Sequence, residues 1–197
     1  MGATSAMYVS LQDEVDFEIH FIEWPAYAGE KTFSEVAQRI INDHSISDHD
    51  VVGGSSLGGM VALEIARMLE PKAVVLIGSA TKPGEVQAFL SSLSPLAAVT
   101  PVALIQVLAG KHKSRVAQMF SESSADFIRA MSFYLPSWPG YEGPIDRIYR
   151  IHGRRDHVIP CPSNGAKIVD GAGHLIAMTH PKECGDFLRG LRDQLAE

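Results

Sequence analysis

Apolar positions change their period along this chain, and each change predicts a different element. Phe17 to Trp24 (FEIHFIEW) concentrates aromatic and β-branched residues and stops at Pro25, which predicts a strand. From 33 to 44 the residues Phe33, Val36, Ala37, Ile40 and Ile41 recur at helical spacing and form one apolar face. A short strand is expected from Asp50 to Gly54. Leu57 to Leu69 then carries Met60, Val61, Ile65, Met68 and Leu69, the pattern of a buried helix, and Pro71 ends it. Lys72 to Ile77 (KAVVLI) is an unbroken apolar run, as expected of a strand covered on both faces.

The other end repeats the rhythm. Ile145 to Ile151 and Ala166 to Val169 predict strands, and Pro181 opens a helix with Phe187, Leu188, Leu191 and Leu195 on one side. Alternating strands and helices predict an α/β fold, a mostly parallel sheet with helices on both faces. Residues 82–144 interrupt it. Their apolar segments PVALIQVL, RVAQMF and DFIRAMSFYL, punctuated by Pro83, Pro95, Pro101, Pro136, Pro139 and Pro144, are too apolar for one surface loop. The expected division is therefore a core of 1–81 and 145–197 with a helical insertion at 82–144.

Composition narrows the classes. A chain of 197 residues suits one domain with a modest insertion, and 46% hydrophobic against 20% charged residues excludes a disordered chain. Seventeen Lys+Arg against 23 Asp+Glu give a net charge of −6, and no basic stripe with interleaved aromatics occurs, so nucleic acid is not an expected partner. Cys161 and Cys184 form no CxxC pair. Neither a disulfide framework nor a thiolate metal site is expected, no cofactor is implied, and a reducing cytoplasm fits best. The N-terminus lacks a basic region followed by an apolar stretch, no apolar run approaches the ~18 residues of a membrane span, and Ala6 stands where a myristoylation signal needs Ser or Thr.

The strongest chemical signal is Val51-Val52-Gly53-Gly54-Ser55-Ser56-Leu57-Gly58-Gly59-Met60. Gly54, Ser56 and Gly58 satisfy GxSxG between a predicted strand and a predicted helix. That pattern suits a sharp, strained turn that exposes the Ser56 hydroxyl, with small residues letting backbones approach. The helix starting at Leu57 directs its positive end at the site, and the Leu57 amide is placed to bind an oxyanion. A bare glycine-rich turn or a phosphate loop is the alternative, but neither GxGxxG nor GxxxxGK[ST] is present.

Chain order then calls for an acid and a histidine after later strands. His152-Gly153-Arg154-Arg155-Asp156-His157-Val158-Ile159-Pro160 follows one strand, and Asp170-Gly171-Ala172-Gly173-His174 follows the last. With HGxxDxxxP around Asp156 and GxGH around His174, nearly the whole chain resembles the α/β-hydrolase family. The resemblance implies Ser56 as nucleophile, His174 as general base and Asp156 as the acid that orients it. It further implies an acyl-enzyme, a small-molecule substrate and an insertion that acts as a cap. A small or medium apolar ester fits the cap's composition; thioesters, carbon–carbon bonds, or small-molecule binding with negligible turnover are the other readings. A homo-oligomer is compatible with these features.

Competing residues are weighed beside these. Asp146 and Asp170 are alternatives for the acid, His157 reads as a rim residue, and His180 as a cap of the last helix. His20 and His152 read as structural histidines and Cys161 as a buried thiol. Met131, Phe133, Tyr134 and Trp138 divide between core and pocket wall.

In the resembled family a glycine-rich oxyanion loop follows the third strand, which lies between the fourth and fifth. Gly2-Ala3-Thr4-Ser5 resembles the end of that loop, Ser5 to Val15 the helix after it, and FEIHFIEW the fourth strand, leaving the first three without a counterpart. Gly2, or Met1 beside it, is then the expected second oxyanion donor. Met1 is expected to be internal to a longer protein, or else the fourth strand pairs directly with the fifth, or a second copy lends a strand.

Overall fold

A computed structural model describes residues 5–86 and 125–196 of the chain. Four strands, β1 (Val51–Ser55), β2 (Ala73–Ile77), β3 (Ile148–Gly153) and β4 (Lys167–Val169), form a parallel sheet in the order β1-β2-β3-β4. Register brings their carboxyl ends level: Ser55 lies beside Ile77, Ile77 beside Ile151, and Gly153 beside Val169. The loops that follow β1, β2, β3 and β4 therefore converge at one edge of the sheet, where ligands of such sheets bind.

The unbroken apolar run of β2 follows from burial on both faces. Val74 and Leu76 enter one core with α2 (Phe33–His44) and α3 (Leu57–Leu69), while Ala73, Val75 and Ile77 enter the other. The second core holds Leu11 of α1 (Val9–Gln12), Ile176 of α5 (Ile176–Thr179) and Cys184 and Leu191 of α6 (Pro181–Ala196). Helix α4 (Ala125–Tyr134) precedes α5 in the chain and supplies Phe127 and Met131 to the first core, joined by Leu135 and Trp138.

Local chemistry sets the helix ends. Thr32 caps α2 by accepting from the Glu35 amide at 3.1 Å, and the Glu35 carboxylate reaches back to the Lys31 amide at 2.7 Å. Helix α3 stops at Glu70, in the left-handed region with φ 48°, just before Pro71. Glu64 of α3 is buried, yet it is satisfied: it accepts from the Trp138 indole at 2.9 Å and the Ser34 hydroxyl at 3.2 Å, with Arg67 at 3.6 Å. Those contacts bind the residues after α4 to the core.

FEIHFIEW is the principal departure from expectation. Residues 17–24 carry no ladder hydrogen bonds, and β1 pairs with β2 alone, so direct pairing of this segment with β1 does not occur among the described residues. Propensity supplies a strand's residues, but a strand also needs a partner edge. Side chains satisfy part of the segment instead: Gln12 donates to the Phe17 carbonyl at 2.9 Å and accepts from the Ile19 amide at 3.0 Å. Phe21 stacks on Tyr8 at 4.9 Å, and Ile22 and Trp24 lean on the first core. The segment expected as a helix from Ser5 to Val15 is a 3₁₀ turn over Ser5–Tyr8 followed by the single turn of α1. PVALIQVL and RVAQMF lie outside the described residues.

Candidate active site

Ser56 sits between β1 and α3 with φ 53° and ψ −121°, a conformation that costs an L-residue strain and that its surroundings must hold. Its amide donates to the Ile77 carbonyl at 3.2 Å, and its own carbonyl accepts from Gly59 at 3.1 Å and from the buried Ser79 hydroxyl at 2.6 Å. The glycines explain how so tight a turn fits. A Cβ at Gly54 would stand 2.4 Å from the Gly58 carbonyl carbon, and one at Gly59 would stand 2.4 Å from Ser79 Oγ. Gly58, the motif position two beyond the serine, has ordinary room, with only Trp24 at 3.9 Å. Close packing therefore falls on Gly54 and Gly59, and Ser79 is a support that no motif announces. We expect Gly54→Ala, whose clash is with backbone, to lower stability by about 1–3 kcal/mol, as overpacking generally does. Thermal unfolding measures this; an unchanged melting temperature would show that the elbow has slack.

The loops after β3 and β4 are tied together by the Arg154 amide on the Val169 carbonyl at 3.1 Å and the Arg155 amide on the Ala172 carbonyl at 2.9 Å. They bring Asp156 and His174 to Ser56. His174 Nδ1 lies 2.9 Å from Asp156 Oδ2, and His174 Nε2 lies 3.0 Å from Ser56 Oγ. A carboxylate only accepts, so Nδ1 carries the proton there and Nε2 is left to accept from the serine hydroxyl. Asp156 Oδ1 accepts from the amides of Val158 at 2.8 Å and Ile159 at 2.9 Å. Burial works to raise the Asp156 pKa. Hydrogen bonds from His152 and His174, attraction to His174 and the Ile159 amide outweigh it and hold the carboxyl well below the usual range.

The alternatives fall elsewhere. Asp146 is exposed, and Asp170 is exposed and paired with Arg154. His157 is exposed, as a rim residue would be; His180 accepts the first α6 bond through its carbonyl while its ring meets Thr179 at 2.8 Å. His20 is exposed and tilts against His44, so it is not a satisfied interior histidine. Cys161 is half-buried rather than buried; Cys184 is the buried thiol, its pKa pushed up to about 12 chiefly by burial. Met131 and Trp138 are core, Tyr134 packs partly against it, and Phe133 is 79% exposed. His152 is fully buried, as a structural histidine would be, and its Nε2 lies 3.2 Å from Asp156 Oδ2. Only the fold places it there. Leu57 heads α3, where its amide has no intrahelical partner, whereas Gly2 lies outside the described residues.

Among the described residues, no group of His, Cys, Asp and Glu is arranged to hold a metal ion, and no helix is long and apolar enough to cross a membrane. An open polar cleft lined by Asp48, Arg67, Glu70, Lys72 and Arg147 lies at the amino ends of the strands, opposite Ser56.

A parallel sheet with helices on both faces, carrying a strained serine at a strand-to-helix elbow within reach of a histidine, defines the class of α/β hydrolytic enzymes. The chain belongs to the alpha/beta hydrolase family, whose model matches residues 1–187. No curated protein matches it in sequence. Among solved structures it is similar to a thermophilic esterase from Thermogutta terrifontis, with a TM-score of 0.73 at 15% identity over 98% of this chain and 86% of that one. It is also similar to the esterase RhEst1 from Rhodococcus sp. ECU1013, with a TM-score of 0.68 at 16% identity over 98% and 88% of the two chains. A third, Est816, described as an N-acyl homoserine lactone degrading enzyme, has a TM-score of 0.68 at 15% identity over 96% and 89%.

Proposed function

We propose that the chain hydrolyses carboxylic esters through an acyl-enzyme on Ser56, with His174 as general base and Asp156 as its orienting acid. The observation that carries this reading is the unbroken hydrogen-bonded line from the Ser56 hydroxyl through His174 to buried Asp156. As Ser56 Oγ attacks the ester carbonyl, its proton passes to His174 Nε2, and Asp156 stabilises the imidazolium. The carbonyl oxygen becomes an oxyanion facing the Leu57 amide and the positive end of α3. Collapse returns the proton to the departing alcohol. Water, deprotonated by His174, then attacks the acyl carbon and releases the acid and free Ser56.

A small or medium apolar acyl group is the substrate class we favour. Trp24 lies beside Gly58, two residues from the nucleophile, and packs against Phe127 at 5.1 Å, which sets apolar surface next to the elbow. The insertion at 82–144 is the segment we propose as the cap, its described end anchored to the first core by Phe127, Met131 and Trp138. The decisive experiment is fluorophosphonate labelling followed by peptide mapping. A single adduct on Ser56, lost in His174→Ala, is expected; absence of labelling at Ser56 in folded protein would overturn the reading.

A further inference from the structure

His152 ends β3, fully buried, four residues before Asp156. Its Nε2 lies 2.9 Å from the Ile159 carbonyl and 3.2 Å from Asp156 Oδ2. Both neighbours only accept, so Nε2 carries a proton. Its Nδ1 is buried with no hydrogen-bond partner among the described residues. A second proton there would find no acceptor, which selects the neutral tautomer protonated at Nε2. Burying an imidazole with one orphaned nitrogen is unfavourable for a residue that only fills space, since an apolar side chain would leave nothing unsatisfied. The compensation lies on the Nε2 side.

We propose that His152 is a positioning residue that shares Asp156 Oδ2 with His174, so that one buried carboxylate oxygen receives two imidazole N–H groups. This rests on the assignment of Asp156 and His174 above. Loop amides already occupy Oδ1, so His152 is what fixes the second oxygen beside His174. Among the described residues, the imidazoles beside Asp156 Oδ2 are His174, hydrogen-bonded at 2.9 Å, and His152, whose Nε2 stands at 3.2 Å while it also meets the Ile159 carbonyl. Arg154, Arg155 and His157 of the same loop are exposed, and Arg154 pairs with Asp170. Donation from His152 draws charge from Oδ2 and weakens its pull on the His174 imidazolium. Asp156 is thereby held in place beside His174.

The test compares wild type, His152→Phe and His152→Gln, after fluorophosphonate mapping of the wild type. Gln places an amide N–H near the position of imidazole Nε2, whereas Phe keeps the bulk and loses the donor. We expect His152→Phe to lower kcat by about 10- to 100-fold, the scale of a misplaced reacting group, with KM unchanged. Its acid limb should move to higher pH, because Oδ2 has then lost a competing donor. His152→Gln should recover most of both. If folded His152→Phe keeps the wild-type kcat and pH limb, or if both variants lose rate with the limb unmoved, His152 is a packing residue and the inference is overturned. Should His152→Phe fail to fold, ¹⁵N NMR of the imidazoles decides: an Nε2-protonated His152 whose Nε2 signal moves in Asp156→Asn supports the inference, and an Nδ1-protonated one, or an Nε2 signal unmoved by Asp156→Asn, overturns it. Failure of the wild type to label at Ser56 would instead overturn the nucleophile assignment, leaving the His152 tautomer to be judged by the same spectra.

Discussion

Ser56→Ala is expected to reduce ester hydrolysis by about 10⁶-fold, the loss seen when the nucleophile of a serine triad is removed. Ser55→Ala should retain most of the activity. The two residues are adjacent, yet Ser56 turns its hydroxyl to His174 Nε2 while Ser55 turns its own into the protein beside Tyr8. Steady-state rates on a chromogenic short-chain ester give the comparison. Equal loss in both variants, or a dead Ser55→Ala alone, would move the elbow by one residue. The residual rate in Ser56→Ala would report what the oxyanion donors and substrate binding contribute without covalent catalysis.

Asp156→Asn is expected to fold and to lose about 10⁴-fold in turnover, because an amide facing His174 Nδ1 favours the wrong tautomer. The same variant tests the low pKa of this carboxyl. A group whose folded pKa lies below its unfolded value of about 3.9 contributes stability that is present above that value and lost as pH falls through the folded one. Denaturant unfolding should therefore show the wild type losing stability on acidification below about pH 4 more steeply than Asp156→Asn. Matching slopes would mean that the hydrogen bonds from His152, His174, Val158 and Ile159 do not favour the charged form. Retained turnover in Asp156→Asn, with loss in Asp170→Asn, would transfer the acid to a residue that the fold leaves exposed and paired with Arg154.

The two expectations differ in what supports them, and that difference separates local from tertiary information. Sequence alone determined the elements whose signal is short-range. The helical faces of Phe33 to Ile41 and Leu57 to Leu69, the apolar run ending at Ile77 and the stop at Pro71 depend on spacing and backbone sterics, which a neighbour cannot change. The GxSxG turn and the order of Asp156 and His174 are legible for the same reason, since each sits in a loop after its own strand. Tertiary structure decided what depends on partners far along the chain. FEIHFIEW has a strand's composition but no ladder, because β1 offers its pairing only to β2. Ser79 supports the Ser56 carbonyl, and Gly59 rather than Gly58 admits it, through a contact 23 residues apart in sequence. His152 reads as an interior histidine, and its burial agrees, but the approach of its Nε2 to the Ile159 carbonyl and to Oδ2 of Asp156 comes from how the loop after β3 folds back. A side chain's protonation and role follow from the acceptors around it, and those acceptors are gathered by the sheet rather than by neighbouring residues in the chain.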